Sequence, residues 1–83
     1  MGSRPRILLA DDHPGVLEHA QRILATDYEV VGQVNDGRAA VDAAFALCPD
    51  LVVLDVMMPE LDGFNAAREL RRRGSSVKVV LYS

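Results

Sequence analysis

The stretch "DLVVLDVMMPELDG", residues 50–63, decides the fold of this chain. It begins with a continuous apolar run, Leu51 to Leu54, that ends in Asp55. Strands that are apolar on both faces belong inside a parallel sheet covered by helices. Pro59 and Gly63 are typical of a rigid loop that turns into the next element. The stretch therefore predicts a buried parallel strand with a carboxylate at its carboxyl end.

The same pattern occurs earlier in "ILLADDHPG", residues 7–15, where an apolar run ends in Asp11 and Asp12. Two further runs rich in β-branched residues, Glu29 to Val34 and Val77 to Tyr82, complete a set of four predicted strands.

The segments between these strands show the apolar periodicity of helices. The first predicted helix begins near Pro14, which needs no amide hydrogen in a first turn. The second is capped by Asp36 and stopped by Pro49, and the third opens after Gly63 and stops at Gly74. The order βαβαβαβ with right-handed crossovers predicts an α/β fold, a parallel sheet with helices on both faces.

Several side chains have an expected environment. Cys48 lies on the apolar stripe of the second helix and Phe64 on that of the third, so we expect both to face the core. Arg71 to Arg73 complement the dipole at a helix C-terminus and are expected to stay solvated. His13 follows the acidic pair and is expected to be a solvated residue near the first helix, which Asp12 could also cap.

Composition narrows the function classes. The 83 residues carry a formal net charge of −3, which disfavours contact with nucleic acid. The single cysteine cannot form an intramolecular disulfide, and no stretch resembles a signal peptide or membrane span, so we expect a cytoplasmic protein. We expect residues 1–5 to be a disordered or vector-derived tail and residues 6–83 to form one domain.

The carboxyl ends of parallel strands meet at one edge of a sheet, where ligands bind at a switch in strand order. Three carboxylates converging there, Asp11, Asp12 and Asp55, repel one another unless a cation intervenes. All-oxygen ligands favour Mg²⁺, and the backbone carbonyl of Met57 could supply a neutral one. Asp55 is then the candidate nucleophile toward phosphorus, and Ser83 could donate its hydroxyl to a phosphoryl oxygen.

The segments "ILLADDHP", "DLVVLDVMMPELDG" and "VKVVLYS", in this order and spacing, resemble the CheY-like receiver domains of response regulators. "DDHP" and "VVGQVNDGRAAVDAA" are most similar to the NarL/FixJ subgroup, whose members usually add a DNA-binding domain. The resemblance implies a flavodoxin-like sheet in the order 2-1-3-4 and two-component signal transduction. It implies a sensor histidine kinase as partner, with no catalysis beyond the domain's own phosphoryl transfer and dephosphorylation.

By the same resemblance Asp55 is the phosphoacceptor and Ser83 the switch hydroxyl. Asp12 and Asp55 would bind Mg²⁺ directly together with the carbonyl of Met57, and Asp11 would bind it through water.

The chain departs from this family at its end. It stops after the fourth strand, so the fifth strand and last two helices of a (βα)₅ receiver are missing, together with the family's lysine. Lys78, the one lysine present, precedes Ser83 on the same strand by roughly 16 Å and cannot substitute. We therefore expect slow or absent phosphorylation and self-association through the exposed fourth strand and uncovered sheet face.

Three alternatives remain. One is a phosphorylation-incompetent receiver fragment that acts only as a folding or dimerisation unit. A haloacid-dehalogenase-type phosphatase also uses a strand-end aspartate, but needs a second aspartate where Met57 stands. A nucleotide-binding Rossmann module needs glycines where Asp11 and Asp12 would repel a pyrophosphate.

Overall fold

The computed structural model describes residues 4–83, in which four strands alternate with three helices. These are β1 (Arg6–Ala10), α1 (Pro14–Leu24), β2 (Glu29–Val34), α2 (Gly37–Leu47), β3 (Leu51–Asp55), α3 (Gly63–Arg72) and β4 (Lys78–Tyr82). Residues 1–3 of the predicted tail lie outside the described residues. Arg4 and Pro5 contact the domain, since Arg4 donates to the carbonyl of Ala25 and the carbonyl of Pro5 accepts from Glu29.

The strands form one parallel sheet in the order β2-β1-β3-β4, which confirms the predicted architecture. The chain runs outward from β1 to β2, and then crosses to the other side of β1 to form β3. Because right-handed crossovers in opposite directions lie on opposite faces, α1 covers one face while α2 and α3 cover the other. The switch point is the gap between β1 and β3.

The main core lies between the sheet and the pair α2 and α3. Successive strand residues point to opposite faces, so Leu8 and Ala10 of β1 share this core with Val52 and Leu54 of β3. The two helices contribute small and branched side chains to it: Ala40, Val41, Ala44, Ala66 and Leu70. This core fixes β1 and β3 side by side and thereby fixes the positions of the residues that follow them.

Two of the helices have side-chain caps. Asp36 accepts a hydrogen bond of 2.7 Å from the amide of Ala39, as predicted for α2. Asp62 accepts one of 2.8 Å from the amide of Asn65 and caps α3. Helix α1 follows His13 without a side-chain cap, so Asp12 does not have the capping role considered for it.

Two side chains expected in the core are exposed. Cys48 ends α2 with a left-handed φ of 49°, which turns its side chain off the apolar stripe. Phe64 is 58% exposed. The inward face of α3 is set by Ala66, Leu70 and Gly63, where an added Cβ would lie 2.5 Å from the carbonyl oxygen of Asp55. Phe64 is one residue from Gly63 and therefore projects about 100° away from that face.

The second face of the sheet is covered less completely. Ile7 and Leu9 are buried there, but no residue of α1 is fully buried. Val80 of β4 is 46% exposed on this face, and β4 is at the edge of the sheet. At the end of α3, Arg71 to Arg73 are all exposed, as expected. Among residues 4–83, none of the helices has the length and apolarity needed to cross a membrane.

Substitutions at two glycines, Gly37 and Gly15, test the packing of α2 against the loop after β3. A Cβ on Gly37 would lie 1.6 Å from the carbonyl oxygen of Leu61, whereas one on Gly15 of α1 would meet nothing within 4 Å. We expect Gly37→Ala to lower the free energy of unfolding by about 2–3 kcal/mol through overpacking. Gly15→Ala should raise it by about 0.5 kcal/mol. Urea unfolding measures both, and equal effects would contradict the close approach.

Candidate functional site

The predicted carboxylates meet at the carboxyl edge of the sheet. Ala10 pairs with Leu54, so the residues that follow them, Asp11 and Asp55, lie side by side at the switch point. Asp55 in turn pairs with Tyr82 of β4. Asp11, Asp55 and Tyr82 therefore form one row across three strands, with their side chains on the same face of the sheet.

Asp11 is the most buried polar side chain of this row, with 2% of its surface exposed. Its Oδ1 accepts a hydrogen bond of 2.8 Å from the backbone amide of His13, and its Oδ2 accepts one from the hydroxyl of Tyr82. Burial alone would raise the pKa of Asp11, but the hydrogen bonds from Tyr82 and His13 outweigh it and hold that pKa below its usual range. Asp11 is therefore a fixed negative charge.

Asp55 ends β3 and is 6% exposed. Its Oδ1 accepts a hydrogen bond of 3.1 Å from the backbone amide of Met57. The loop after it is held by backbone bonds from Val56 to the carbonyl of Tyr82 (2.8 Å) and from Gly63 to the carbonyl of Val56 (2.9 Å). The carboxylate is thus positioned by its own loop, with one oxygen engaged and Met57 itself 72% exposed beside it.

His13 is in contact with the carboxylates, which sequence reasoning did not anticipate. Its Nδ1 lies 2.8 Å from Asp11 Oδ1, 3.0 Å from Asp12 Oδ1 and 3.9 Å from Asp55 Oδ2. The hydrogen bond to Asp11 and the charge of Asp12 raise the pKa of His13. The expectation of a solvated residue holds only in part: the side chain is 66% exposed, but its Nδ1 faces the acidic cluster.

Tyr82 is the second contributor that sequence reasoning missed. Its hydroxyl donates to Asp11, which follows β1, so the two side chains together bridge two strand spacings, or about 10 Å, across β3. Burial, followed by the hydrogen bond to Asp11, raises the pKa of Tyr82, so the phenol keeps its proton and donates at neutral pH. The pairing of Tyr82 with Asp55 was the signal that could have revealed this role, because a long side chain in the row of Asp55 lies beside the acidic residues.

The donor set fits a hard divalent cation. Asp11, Asp12 and Asp55 each have a carboxylate oxygen in a cluster with a ring nitrogen of His13, and these atoms lie within 4.8 Å of one another. Carboxylate oxygens predominate, and the side chain of Asp12 is 35% exposed, so water has access to the cluster. Such a site, with few carboxylates and room for water, suits Mg²⁺.

Ser83 follows β4 and is exposed. The side chain that β4 places in the row with Asp55 is that of Tyr82, and Ser83 lies one residue beyond it. The roles of Ser83 as switch hydroxyl and of the Met57 carbonyl as metal ligand remain predictions.

The hydrogen bond from Tyr82 to Asp11 should stabilise the fold. Tyr82→Phe removes the donor from a buried carboxylate, so we expect a loss of about 1.5 kcal/mol in the free energy of unfolding at neutral pH. Since the folded pKa of Asp11 is lowered, this contribution should disappear as the pH falls through that pKa. Tyr28→Phe, which changes the other tyrosine, is the matched control; equal losses in urea unfolding would refute the assignment.

Comparison with curated proteins gives both response regulators and an enzyme, each similar to this chain over part of its length. The response regulator MprA of Mycolicibacterium vanbaalenii is 42% identical over 76 residues, which cover 92% of this chain and 33% of that protein. The nitrate/nitrite response regulator NarL of Escherichia coli is 35% identical over 79 residues, covering 93% and 37%. A protein-glutamate methylesterase/protein-glutamine glutaminase of Nocardioides is 38% identical over 80 residues, covering 94% and 22%. The chain spans well under half the length of these relatives.

Solved structures show the same fold. The signal receiver domain of a response regulator NarL from Mycobacterium tuberculosis superposes with a TM-score of 0.92 at 34% identity, covering 96% of this chain and 66% of that one. The response regulator domain of Thermotoga maritima CheB gives 0.89 at 30%, covering 95% and 60%. Residues 7–83 match the response regulator receiver domain. The predicted resemblance is confirmed: this chain belongs to the response regulator receiver domain family.

Proposed function

We propose that this receiver accepts a phosphoryl group on Asp55 in a Mg²⁺-dependent reaction. The observation that carries the proposal is the row at the switch point, where the Asp55 side chain is 8% exposed and lies beside Asp11 and Asp12. A lone strand-end aspartate would be an ordinary turn residue. Three carboxylates held together are typical of a cation site. A bound cation would prepare one of them to accept a phosphoryl group.

The reaction is a phosphoryl transfer. An Asp55 oxygen forms a bond to phosphorus while the donor's bond to phosphorus breaks, and the donor keeps that electron pair. The donor is the phosphohistidine of a sensor histidine kinase or a small acyl phosphate. The product is an acyl phosphate on Asp55. Bound Mg²⁺ would neutralise the charge that the incoming phosphoryl group adds to the acidic cluster.

The residues of the chain have separate roles in this proposal. Asp12 and Asp55 would hold the cation directly together with the carbonyl of Met57, and Asp11 would hold it through water. The amide of Met57, which already donates to Asp55, keeps the acceptor carboxylate oriented. Ser83 donates its hydroxyl to a phosphoryl oxygen.

The rest of the signalling pathway follows from the family. We propose that the parent protein is a cytoplasmic, DNA-binding transcriptional regulator, and that this segment itself makes no contact with nucleic acid or membrane. Relatives named as regulators, NarL and MprA, support a regulatory output. The net charge of −3 disfavours binding of a phosphate backbone by this segment.

The test follows backbone amides by NMR. Mg²⁺ should shift the amide resonances of Asp12 and Asp55, and beryllofluoride, a phosphoryl mimic, should shift that of Asp55 further only when Mg²⁺ is present. Asp55→Asn should abolish the second shift. Asp42→Asn, which removes an exposed carboxylate from α2, should leave both shifts intact.

Two failures of this experiment have different meanings. If Mg²⁺ produces no shift, the metal site is refuted. If Mg²⁺ binds but beryllofluoride has no effect, phosphoryl acceptance by this chain is refuted and the second candidate function below is favoured.

That second candidate is a phosphorylation-incompetent unit that folds or dimerises. Two observations favour it. Lys78 pairs with Leu51 at the far end of β4 from the Asp55 pair, so its amine cannot serve the site. Val80 is 46% exposed beside the open edge of β4, which offers both an apolar face and unpaired backbone groups to another chain.

Self-association through β4 is directly measurable. We expect light scattering to show a concentration-dependent dimer, because edge strands with exposed apolar side chains recruit other strands. Val80→Lys places a charge on that face and should shift the population to monomer. Val16→Lys, an equally exposed apolar position on α1, is the control and should not. A compact monomer at high concentration would rule the proposal out.

A further inference from the structure

The imidazole of His13 lies where a cation would be bound. Its Nδ1 is 2.8 Å from Asp11 Oδ1 and 3.0 Å from Asp12 Oδ1, both hydrogen-bonding distances. In the proposed site Asp11 reaches Mg²⁺ through a water, and such a water would also lie at hydrogen-bonding distance from the same oxygen. The ring nitrogen and that water would therefore compete for the same acceptor, Asp11 Oδ1.

The two carboxylate contacts also limit what Nδ1 of His13 can offer a metal. Two carboxylate oxygens, both acceptors, face one nitrogen, so Nδ1 carries a hydrogen toward them. A nitrogen that donates has no lone pair for coordination. Mg²⁺ in addition takes oxygen ligands and retains several waters, which need the space that the ring fills.

From this geometry we propose that His13 and Mg²⁺ exclude one another, so that the imidazole is an internal competitor that sets the metal affinity of the receiver. The inference rests on the proposed Mg²⁺ site and concerns a residue that is not one of its ligands. His13 precedes α1 and its side chain is 66% exposed, so the ring can rotate into solvent when the cation binds. The competition is therefore readily reversed.

The expected effect of this competition on Mg²⁺ affinity is that of one partly exposed, charge-assisted hydrogen bond. Removing the ring by His13→Ala should tighten Mg²⁺ binding about two- to tenfold. The chain has a matched control, because its only other histidine, His19, is exposed on α1 away from the acidic cluster. His19→Ala should leave the affinity unchanged.

The experiment is a Mg²⁺ titration of the whole chain, read from the amide shifts of Asp12 and Asp55 in the unaltered protein and both variants. A second readout uses the unaltered protein alone and does not depend on variant folding. The Cε1 proton of His13 should shift with the same midpoint as Asp55 as the ring leaves, while that of His19 should stay in place.

The outcomes separate this inference from the function on which it rests. Tighter binding by His13→Ala with the ring resonance moving supports it. Weaker binding by His13→Ala would identify the imidazole as a ligand and overturn it, and equal binding or an unmoved His13 resonance would overturn it as well. Absence of Mg²⁺ binding in all three proteins would refute the proposed metal site itself.

Discussion

Electrostatic repulsion at the switch point is the constraint on which the rest of this structure depends. Ligand atoms of Asp11, Asp12 and Asp55 lie within 4.8 Å of one another, where each pair of charges repels by roughly 3–4 kcal/mol at the effective dielectric of a protein surface. Each fully buried aliphatic side chain contributes about 1.5–3 kcal/mol in the opposite direction. The core residues below the site, Leu8 and Leu54 among them, hold β1 and β3 in register against this repulsion.

Hydrogen-bond donors from three different segments of the chain offset the remaining repulsion. Tyr82 donates from β4, Met57 from the loop after β3, and His13 from the start of α1. Each donor reaches a carboxylate without introducing a buried fixed positive charge, because two are neutral and the imidazole is largely exposed. The carboxylates are therefore ordered while the cluster as a whole stays electronegative, which is what a cation site requires.

The sequence was informative wherever apolar periodicity decided the structure. Runs that end in aspartate placed Asp11 and Asp55 at one edge, and the sheet order followed from the family resemblance. The positions predicted wrongly are those where exposure depends on the direction in which a helix residue points. Phe64 is exposed because close packing of Gly63 sets the inward face of α3, and Cys48 is exposed because it ends α2 in a left-handed conformation.

His13 and Tyr82 were missed for a related reason. Neither breaks a local pattern: the first resembles a polar residue before a helix, and the second an aromatic in a strand. The role of Tyr82 appears only when strand register is known, since the pairing of Asp55 with Tyr82 and of Ala10 with Leu54 brings its hydroxyl to Asp11. His13 reaches the same carboxylate locally, because the chain turns back over the two residues that follow Asp11. A long or rotatable side chain reaching across strands leaves no periodic signal in the sequence.

The site is divided between strands that differ in support. Asp11 and Asp12 follow β1, and Asp55 ends β3. Each of these two strands has a neighbour on both sides and packs on the core formed with α2 and α3. Tyr82 ends β4 and Ser83 follows it; this strand has a neighbour on one side only and an exposed face at Val80. Local opening begins where few buried contacts hold a segment. Opening of β4 would therefore displace the hydroxyl groups at its end without displacing the carboxylates of the proposed metal site. The proposed cation ligands thus lie at the ends of the two central strands, whereas Tyr82 and Ser83 lie at the end of an edge strand.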